Sequence, residues 1–340
     1  MNVEICKEPA AWDAYVEAAP DASNYHRWVW KEVIERTYGH QGYYLAARDN
    51  GALAGLLPLV MIKSRVFGRF LVSVPFFSYG GVLATTAEAR ESLLLKAVEL
   101  AQELGVRHVE LRQGAACDMR WQDVTAKVTM VVPLPPRAEE LWNRLSSKVR
   151  QRVRFARKHG LRVQWGGREA VGTFYRLFAT NMRDLGTPVY PQAWFENMVR
   201  DLPDEVRILT LWDGGEAVAA GLVTPFRDTL ELPWSGSLPD SRRKQSVVMM
   251  FWTVLEWAME HGYRWTDFGR CTPGSGVYEF KQLWLCEERP LHWYYWLAPG
   301  VPVPELRPSN PRYRWATSAW KHLPLSVANR LGPHIVRSIP

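Results

Sequence analysis

The feature that most constrains this 340-residue chain is an order of turns and stops that occurs twice. In the first third, strand-like runs over 42–47 and 52–62 are joined by Arg48-Asp49-Asn50-Gly51. Its Asn-Gly pair favours a hairpin because both residues accept positive φ. A helical stretch over 87–104 follows, stops at Gly105, and leads into a strand at 107–111. In the second half, strands over 206–212 and 217–224 flank Asp213-Gly214-Gly215, and a third strand spans 229–234. A long helix over 247–261 then stops at Gly262 before a strand at 264–268. Helices precede each meander, at 28–38 in the first half and at 138–145, 148–159, 169–184 and 192–201 in the second. This order specifies a mixed α/β module built twice, alike in pattern and not in sequence.

Pro133-Leu134-Pro135-Pro136 interrupts the pattern, because prolines fix φ and donate no backbone hydrogen bond. The expected organisation is therefore a domain over 1–136, a second over 137–300, and an accessory tail over 301–340. The tail is proline-rich, then basic, with no carboxylate after Glu305. Residues 299–311 are expected to run extended along the protein surface. Trp315, Ala316, Ala319, Trp320 and Leu323 stand at helical spacing, which predicts a short helix either docked on a domain or lying at an anionic membrane surface.

Composition narrows the function classes. Hydrophobic residues make up 47% and charged residues 23%, as in a soluble globular protein, and the 17 Trp read mainly as core and packing residues. A net charge of +7 favours an anionic partner: a phosphate, a nucleic acid or a membrane surface. Cys6, Cys117, Cys271 and Cys286 form no CxxC pair, so neither a zinc site nor a disulfide framework is expected, and a reducing compartment fits. Glu4, Lys7 and Glu8 stand where a signal peptide would be apolar, and the apolar run over 51–62 is too short to span a bilayer. The expected location is the cytoplasm, with the inner face of the membrane as a variant.

Three segments could carry chemistry. Residues 141–168 contain no carboxylate; Trp142, Leu145, Val149, Val153 and Ala156 form an apolar stripe, and Arg150, Arg154 and Arg157 share another face. That face is either solvated or a cradle for phosphate or tRNA. Arg242, Arg243 and Lys244 precede the long helix, a position suited to an anion. The densest segment is 266–281, where a strand ends at Asp267, a loop with three glycines follows, and a helix presents Lys281. A lysine held there against aromatics could stabilise an oxyanion. Cys271 as a nucleophile has no His near it in sequence to activate it.

The stretches Ser146-Ser147-Lys148-Val149-Arg150, Arg157-Lys158-His159-Gly160-Leu161, Asn181-Met182-Arg183-Asp184-Leu185-Gly186-Thr187-Pro188, Glu231-Leu232-Pro233-Trp234, Asp267-Phe268-Gly269-Arg270 and Tyr278-Glu279-Phe280-Lys281 resemble the FemAB family of peptidyl and aminoacyl transferases. So do 320–324 and 330–333. More closely, the chain is similar to the FemAB-type proteins associated with the PEP-CTERM/exosortase system and exopolysaccharide loci. It departs at Cys271, where Ser is expected, and at Leu285-Cys286, where Gly-Ala is expected.

The resemblance implies two tandem GNAT-like domains and an N-acyl or aminoacyl transferase acting on an amine-bearing cell-envelope or exopolysaccharide precursor. No permanently bound cofactor is implied; the acyl donor is aminoacyl-tRNA or acyl-CoA, so tRNA is a partner the resemblance admits. The partner proper is a glycan or lipid-linked envelope precursor, with peripheral membrane contact as a further expectation. Lys281 would stabilise the oxyanion and Phe280 shape the pocket. Arg183 would bind an acceptor phosphate and Trp234 stack on the acceptor. Tyr278 would contribute to substrate binding, and Asp267 and Arg270 would hold the loop. In GNAT enzymes a glycine-rich loop before the long helix binds the coenzyme A pyrophosphate, but no glycine stands between Leu238 and Val248 here. Coenzyme A-dependent acetyl transfer and a non-catalytic role in polysaccharide assembly are the alternatives.

Overall fold

The computed structural model describes residues 1–64, 67–304 and 311–339. In chain order its first elements are β1 (Asn2–Ile5), α1 (Pro9–Ala18), α2 (Val29–Tyr38), β2 (Gly42–Asp49), β3 (Ala52–Ser64), β4 (Gly68–Val72), β5 (Leu83–Ala84) and α3 (Ala87–Glu103). Then come β6 (His108–Gln113), β7 (Gln122–Pro133), α4 (Ala138–Arg144), α5 (Ser147–Lys158), β8 (Arg162–Gly166), α6 (Val171–Leu185) and α7 (Gln192–Asp201). The last are β9 (Arg207–Asp213), β10 (Glu216–Phe226), β11 (Thr229–Ser237), α8 (Ser246–Glu260), β12 (Trp265–Cys271), α9 (Gly276–Gln282), β13 (Glu287–Leu297), α10 (Pro311–Lys321) and α11 (Leu325–Val336).

These elements form two compact units. One comprises Met1–Val128, Arg289–Glu305 and Arg337–Pro340; the other comprises Thr129–Glu288 and Leu306–Val336. The units are discontinuous in sequence, whereas a cut at the proline cluster leaves two contiguous domains. The difference arises because most of β13 pairs antiparallel with β6 of the first unit, from His292↔Gln113 to Leu297↔His108. Local sequence carries no signal for so distant a pairing. Much of the proline-rich stretch 299–311 lies outside the described residues.

In the first unit the strand order is β1-β2-β3-β4-β6-β13. The β2–β3 hairpin turns at Asn50 (φ 48) and Gly51 (φ 87), the positive-φ pair that the Asn-Gly sequence favours. Helix α3 begins where the Thr86 side chain accepts from the Ala89 N–H, and buries Ala89, Leu93, Ala97 and Leu100 against Leu45, Leu57, Leu59, Leu71 and Val109. Burying a full aliphatic side chain stabilises by about 1.5–3 kcal/mol, so this face of α3 alone fixes it on the sheet. Beside this core lies a buried polar knot. Arg112 Nε donates to Glu110 Oε1 at 2.7 Å, Tyr295 Oη donates to Glu110 Oε2 at 3.0 Å, and Arg112 NH1 donates to the Phe77 carbonyl at 2.7 Å. The loop it holds contains Val74 (φ 53) and Phe76 (φ 76), left-handed positions that bulky residues occupy only under constraint.

In the second unit the order is β12-β11-β10-β9-β8, with β11 and β12 parallel and the others antiparallel. Its core joins Leu145, Val149, Val153 and Ala156 of the expected α5 stripe to Val254, Leu255 and Ala258 of α8. On the other face α6 crosses β11 so closely that a Cβ on Gly236 would stand 2.7 Å from Phe178 Cα and 2.8 Å from the Leu177 carbonyl oxygen. The elements expected from the turn and helix signals are present; β1, α1, β5 and α11 are additions that the sequence does not signal.

His26 supplies a test of the first unit. Its Nδ1 accepts from the Ser23 N–H at 2.9 Å and its Nε2 donates to the Gly81 carbonyl at 3.1 Å, an arrangement only the neutral ring satisfies. Burial holds its pKa at about 4, against 6.5 for an ordinary histidine. Between those values the unfolded chain binds the proton and the folded one does not. The His26 contribution is therefore complete above pH 6.5 and is lost as pH falls toward 4, to an extent of about 3 kcal/mol. Denaturant titrations across that window are expected to show falling stability, with a shallower fall in His26→Gln; an identical slope in the variant contradicts this.

Candidate active site

The candidate site forms where β11 and β12 part. Their ladder runs from Thr229↔Trp265 to Glu231↔Asp267, and both strands continue beyond it, β11 to Ser237 and β12 to Cys271. Two buried carboxylates, Glu231 and Asp267, thus share the last rung. Asp267 is 3% exposed; its Oδ1 accepts from Thr129 Oγ1 at 2.6 Å and from the Gly269 N–H at 2.7 Å. These bonds tie β7 and the bend at Gly269 within β12 to one carboxylate. Gly269 has φ 74, a conformation costly for a residue bearing a Cβ, so glycine here lets the strand bend within hydrogen-bond reach of Asp267.

That bend receives Lys281. Helix α9 starts at Ser275, whose side chain accepts from the Tyr278 N–H at 3.2 Å, and its single buried residue is Lys281. Lys281 is 5% exposed; its Nζ donates to the Gly269 carbonyl at 2.8 Å and to the Arg270 carbonyl at 3.2 Å. Burial lowers its pKa below the ordinary lysine value of 10.5, opposed by the negative charge of Asp267 among others. An ammonium carries three N–H donors. Two are committed to carbonyls, which leaves one for a further acceptor.

The other expected site residues distribute unevenly. Phe280 is half-buried, its ring edge-on to Phe251 at 4.9 Å and to Trp284 at 6.3 Å, so it anchors α9 to the core. Tyr278 donates to Glu288 Oε2 at 2.6 Å and accepts from Gln282 Nε2 at 2.6 Å. Asp267 and Arg270 hold the loop, the latter through its backbone carbonyl. Arg183 Nε donates to Asp184 at 2.7 Å and its NH1 to the Leu323 carbonyl at 3.1 Å, which makes it a clasp between α6 and the end of the tail helix. Trp234 is 6% exposed among Tyr190, Trp194 and Phe195, at centroid distances of 6.3, 6.3 and 5.6 Å. It is therefore a packing residue, not a free platform for an acceptor.

The cationic faces are also engaged. Arg150 donates to the Asn143 carbonyl at 3.0 Å, Arg154 lies 5.4 Å over the Trp142 ring, and Arg157 makes a two-bond pair with Glu256. Before α8, Arg242 donates to Asn181 Oδ1 at 3.3 Å and Lys244 pairs with Asp213 at 2.6 Å, with Arg243 exposed beside them. The carboxylate that meets Arg157 comes from Glu256, 99 residues away, which is why a carboxylate-free stretch reads as uncompensated. Thr129 and Glu231 are not among the site residues that the sequence singles out. Only the Glu231-Leu232-Pro233-Trp234 stretch, quoted for its family resemblance, pointed at one of them.

Cys271 is buried at the end of β12, and Cys286 donates to the Lys281 carbonyl at 3.1 Å, its thiol pushed up to about 12 by burial. Among the described residues no cluster of His, Cys, Asp or Glu could hold a metal ion, and no helix is long and apolar enough to cross a membrane. A cavity of about 420 Å³ lies elsewhere, between the start of α6 and α7, lined by Arg168, Gly172, Gln192, Glu196 and Arg200 among others. It contains none of the residues around Lys281.

Comparison with known proteins bears on the fold and on the family likeness. The profile of the FemAB family matches residues 70–211, and that of the acetyltransferase (GNAT) domain matches 143–282. The lipid II:glycine glycyltransferase of Staphylococcus aureus strain MRSA252 is 24% identical over 220 residues, covering 57% of this chain and 50% of that protein. The chain thus spans about half the length of the curated relatives it matches. Among solved structures, that of FemX superposes with a TM-score of 0.70 at 16% identity, over 93% of this chain and 100% of that one. A tandem GNAT protein from the clavulanic acid biosynthesis pathway gives 0.53 at 10% identity, over 89% and 100%. The fold is mixed α/β and GNAT-like, and the chain is FemAB-like in sequence.

Asp267→Ala is expected to leave Thr129 Oγ1 and the Gly269 N–H without their shared acceptor, at a cost of about 1–3 kcal/mol for each group left unpaired. Thermal unfolding of the variant checks this; an unchanged melting temperature contradicts the role given to Asp267.

Proposed function

We propose that this chain transfers an aminoacyl or acyl group to an amine on a lipid-linked or glycan precursor of the cell envelope, with Lys281 at the reaction centre. The observation that carries the reading is the burial of Lys281, with two of its donors held by the Gly269 and Arg270 carbonyls and one uncommitted. When an amine attacks an activated carbonyl, negative charge develops on the carbonyl oxygen. A fixed cation in a water-poor site stabilises that charge far more than one in bulk water. The carbonyls fix the ammonium before the reaction, so it does not reorganise as the charge appears.

The related glycyltransferases are named for action on lipid II, which supports a lipid-linked acceptor. The resemblance to exosortase-associated proteins directs the reading toward exopolysaccharide precursors in particular. For the donor we favour aminoacyl-tRNA. The segment before α8 is a tight turn over Pro239–Lys244 closed by Gln245 at φ 58, without glycine to expose a run of amides to a pyrophosphate. Exposed Lys148, Arg154, Lys158, Arg242 and Arg243 would meet the anionic donor, with Arg150 and Arg157 supporting that surface. The reaction would take place on the cytoplasmic side of the membrane, where both donors are made.

Lys281→Ala is expected to lower turnover by about 10²–10³, the usual cost of losing one oxyanion donor, while circular dichroism stays native. Precursor incubated with charged tRNA or with acyl-CoA, and followed by mass spectrometry, identifies the donor. Near-wild-type turnover by the folded variant removes Lys281 from the mechanism. Normal complementation of a deletion strain by the same variant favours a non-catalytic binding protein.

A further inference from the structure

We infer that α11 is a docking surface for an anionic lipid bilayer. The helix has two apolar stripes side by side. One consists of Ala328, Gly332 and Val336 and is buried. A Cβ on Gly332 would stand 2.8 Å from the Val189 backbone nitrogen, so this stripe sits directly on the chain after α6. The second consists of Val327, Leu331 and Ile335, which are 39%, 45% and 37% exposed. At about 100° per residue the three share one face, and Arg330 and His334 border it on the side away from the buried stripe. Trp315 of α10, the helix that packs on the same α6, is 75% exposed. Of the eleven large exposed apolar side chains among the described residues, these four lie within Trp315–Ile335.

Charge selects the occupant. From residue 306 to the last residue the sequence holds Arg307, Arg312, Arg314, Lys321, Arg330 and Arg337 and no Asp or Glu. An apolar stripe bordered by Arg330, in a segment whose charged side chains are all basic, matches the interface of a bilayer carrying anionic lipid. A second copy of the chain is a poorer occupant, because pairing two such segments would bring like charges together. The inference does not rest on the transfer reaction; binding without activity and activity without binding are both measurable.

The test is sedimentation of the full chain with phosphatidylcholine vesicles made with and without phosphatidylglycerol. The protein is expected to partition onto the phosphatidylglycerol vesicles alone and to be released by salt. Combined Val327→Ser, Leu331→Ser and Ile335→Ser is expected to reduce partitioning at least about tenfold, whereas Leu95→Ser, at another exposed apolar site, leaves it unchanged. If the triple variant fails to fold, Lys321→Glu with Arg330→Glu, at two exposed positions, carries the test with the same expected loss. The inference is overturned by no binding to either vesicle, by equal binding to both, by variants that bind like the wild type, or by a dimer in solution that the stripe variant dissociates.

Discussion

The candidate site depends on one buried charge held by backbone carbonyls. An ammonium taken out of water is costly unless its protons find acceptors, and the acceptors for Lys281 come from the bent end of β12. That bend has its shape because Asp267 accepts the Gly269 N–H, and Asp267 stays buried because Thr129 supplies a second donor. Each group in the series Thr129, Asp267, Gly269 and Lys281 is satisfied by the next. The series also explains why β12 separates from β11 just past Asp267: the backbone that would continue the ladder is used to hold the lysine.

Packing makes this polar series possible. Phe280 and Trp284 set α9 against Phe251 of α8, so the helix axis is fixed by aromatics while its polar side turns toward β12. Gly236 lets α6 lie against β11 at backbone distance, and the Tyr190, Trp194, Phe195 and Trp234 rings fill the space beside it. Neither arrangement tolerates much repacking, because interiors at crystal-like density transmit a shift of a few tenths of an ångström to their neighbours. The first unit carries its own constraint in the Glu110–Arg112 pair. It is buried and bonded to Tyr295 and a loop carbonyl, so losing one partner would strand the other charge in the core.

What was legible in the sequence was what short-range chemistry determines. Asn50-Gly51 and Asp213-Gly214-Gly215 encode their hairpins through positive φ, and the α5 stripe follows from spacing alone. Lys281 stood out because a glycine-rich turn and a helix start immediately precede it. What remained hidden depends on residues brought together from afar. Arg157 reads as a free cation until Glu256 of α8 lies against it, and Trp234 reads as a stacking platform until three aromatics enclose it. Thr129 carries no local mark of its bond to Asp267, 138 residues away. Helix α11, interrupted in sequence by Gly332 and Pro333, looks like a chain that should not stay helical; its close fit on Val189 compensates.

The central claim is that Lys281 is a desolvated ammonium poised at a reaction centre, and its titration tests that most directly. A 15N NMR pH titration of the Lys281 amine in the full chain, assigned by its disappearance in Lys281→Arg, reads its pKa and its response to added precursor. The account predicts a midpoint below the ordinary 10.5 and a shift of the resonance when precursor binds. A midpoint at or above that value, together with a resonance indifferent to precursor, would contradict it.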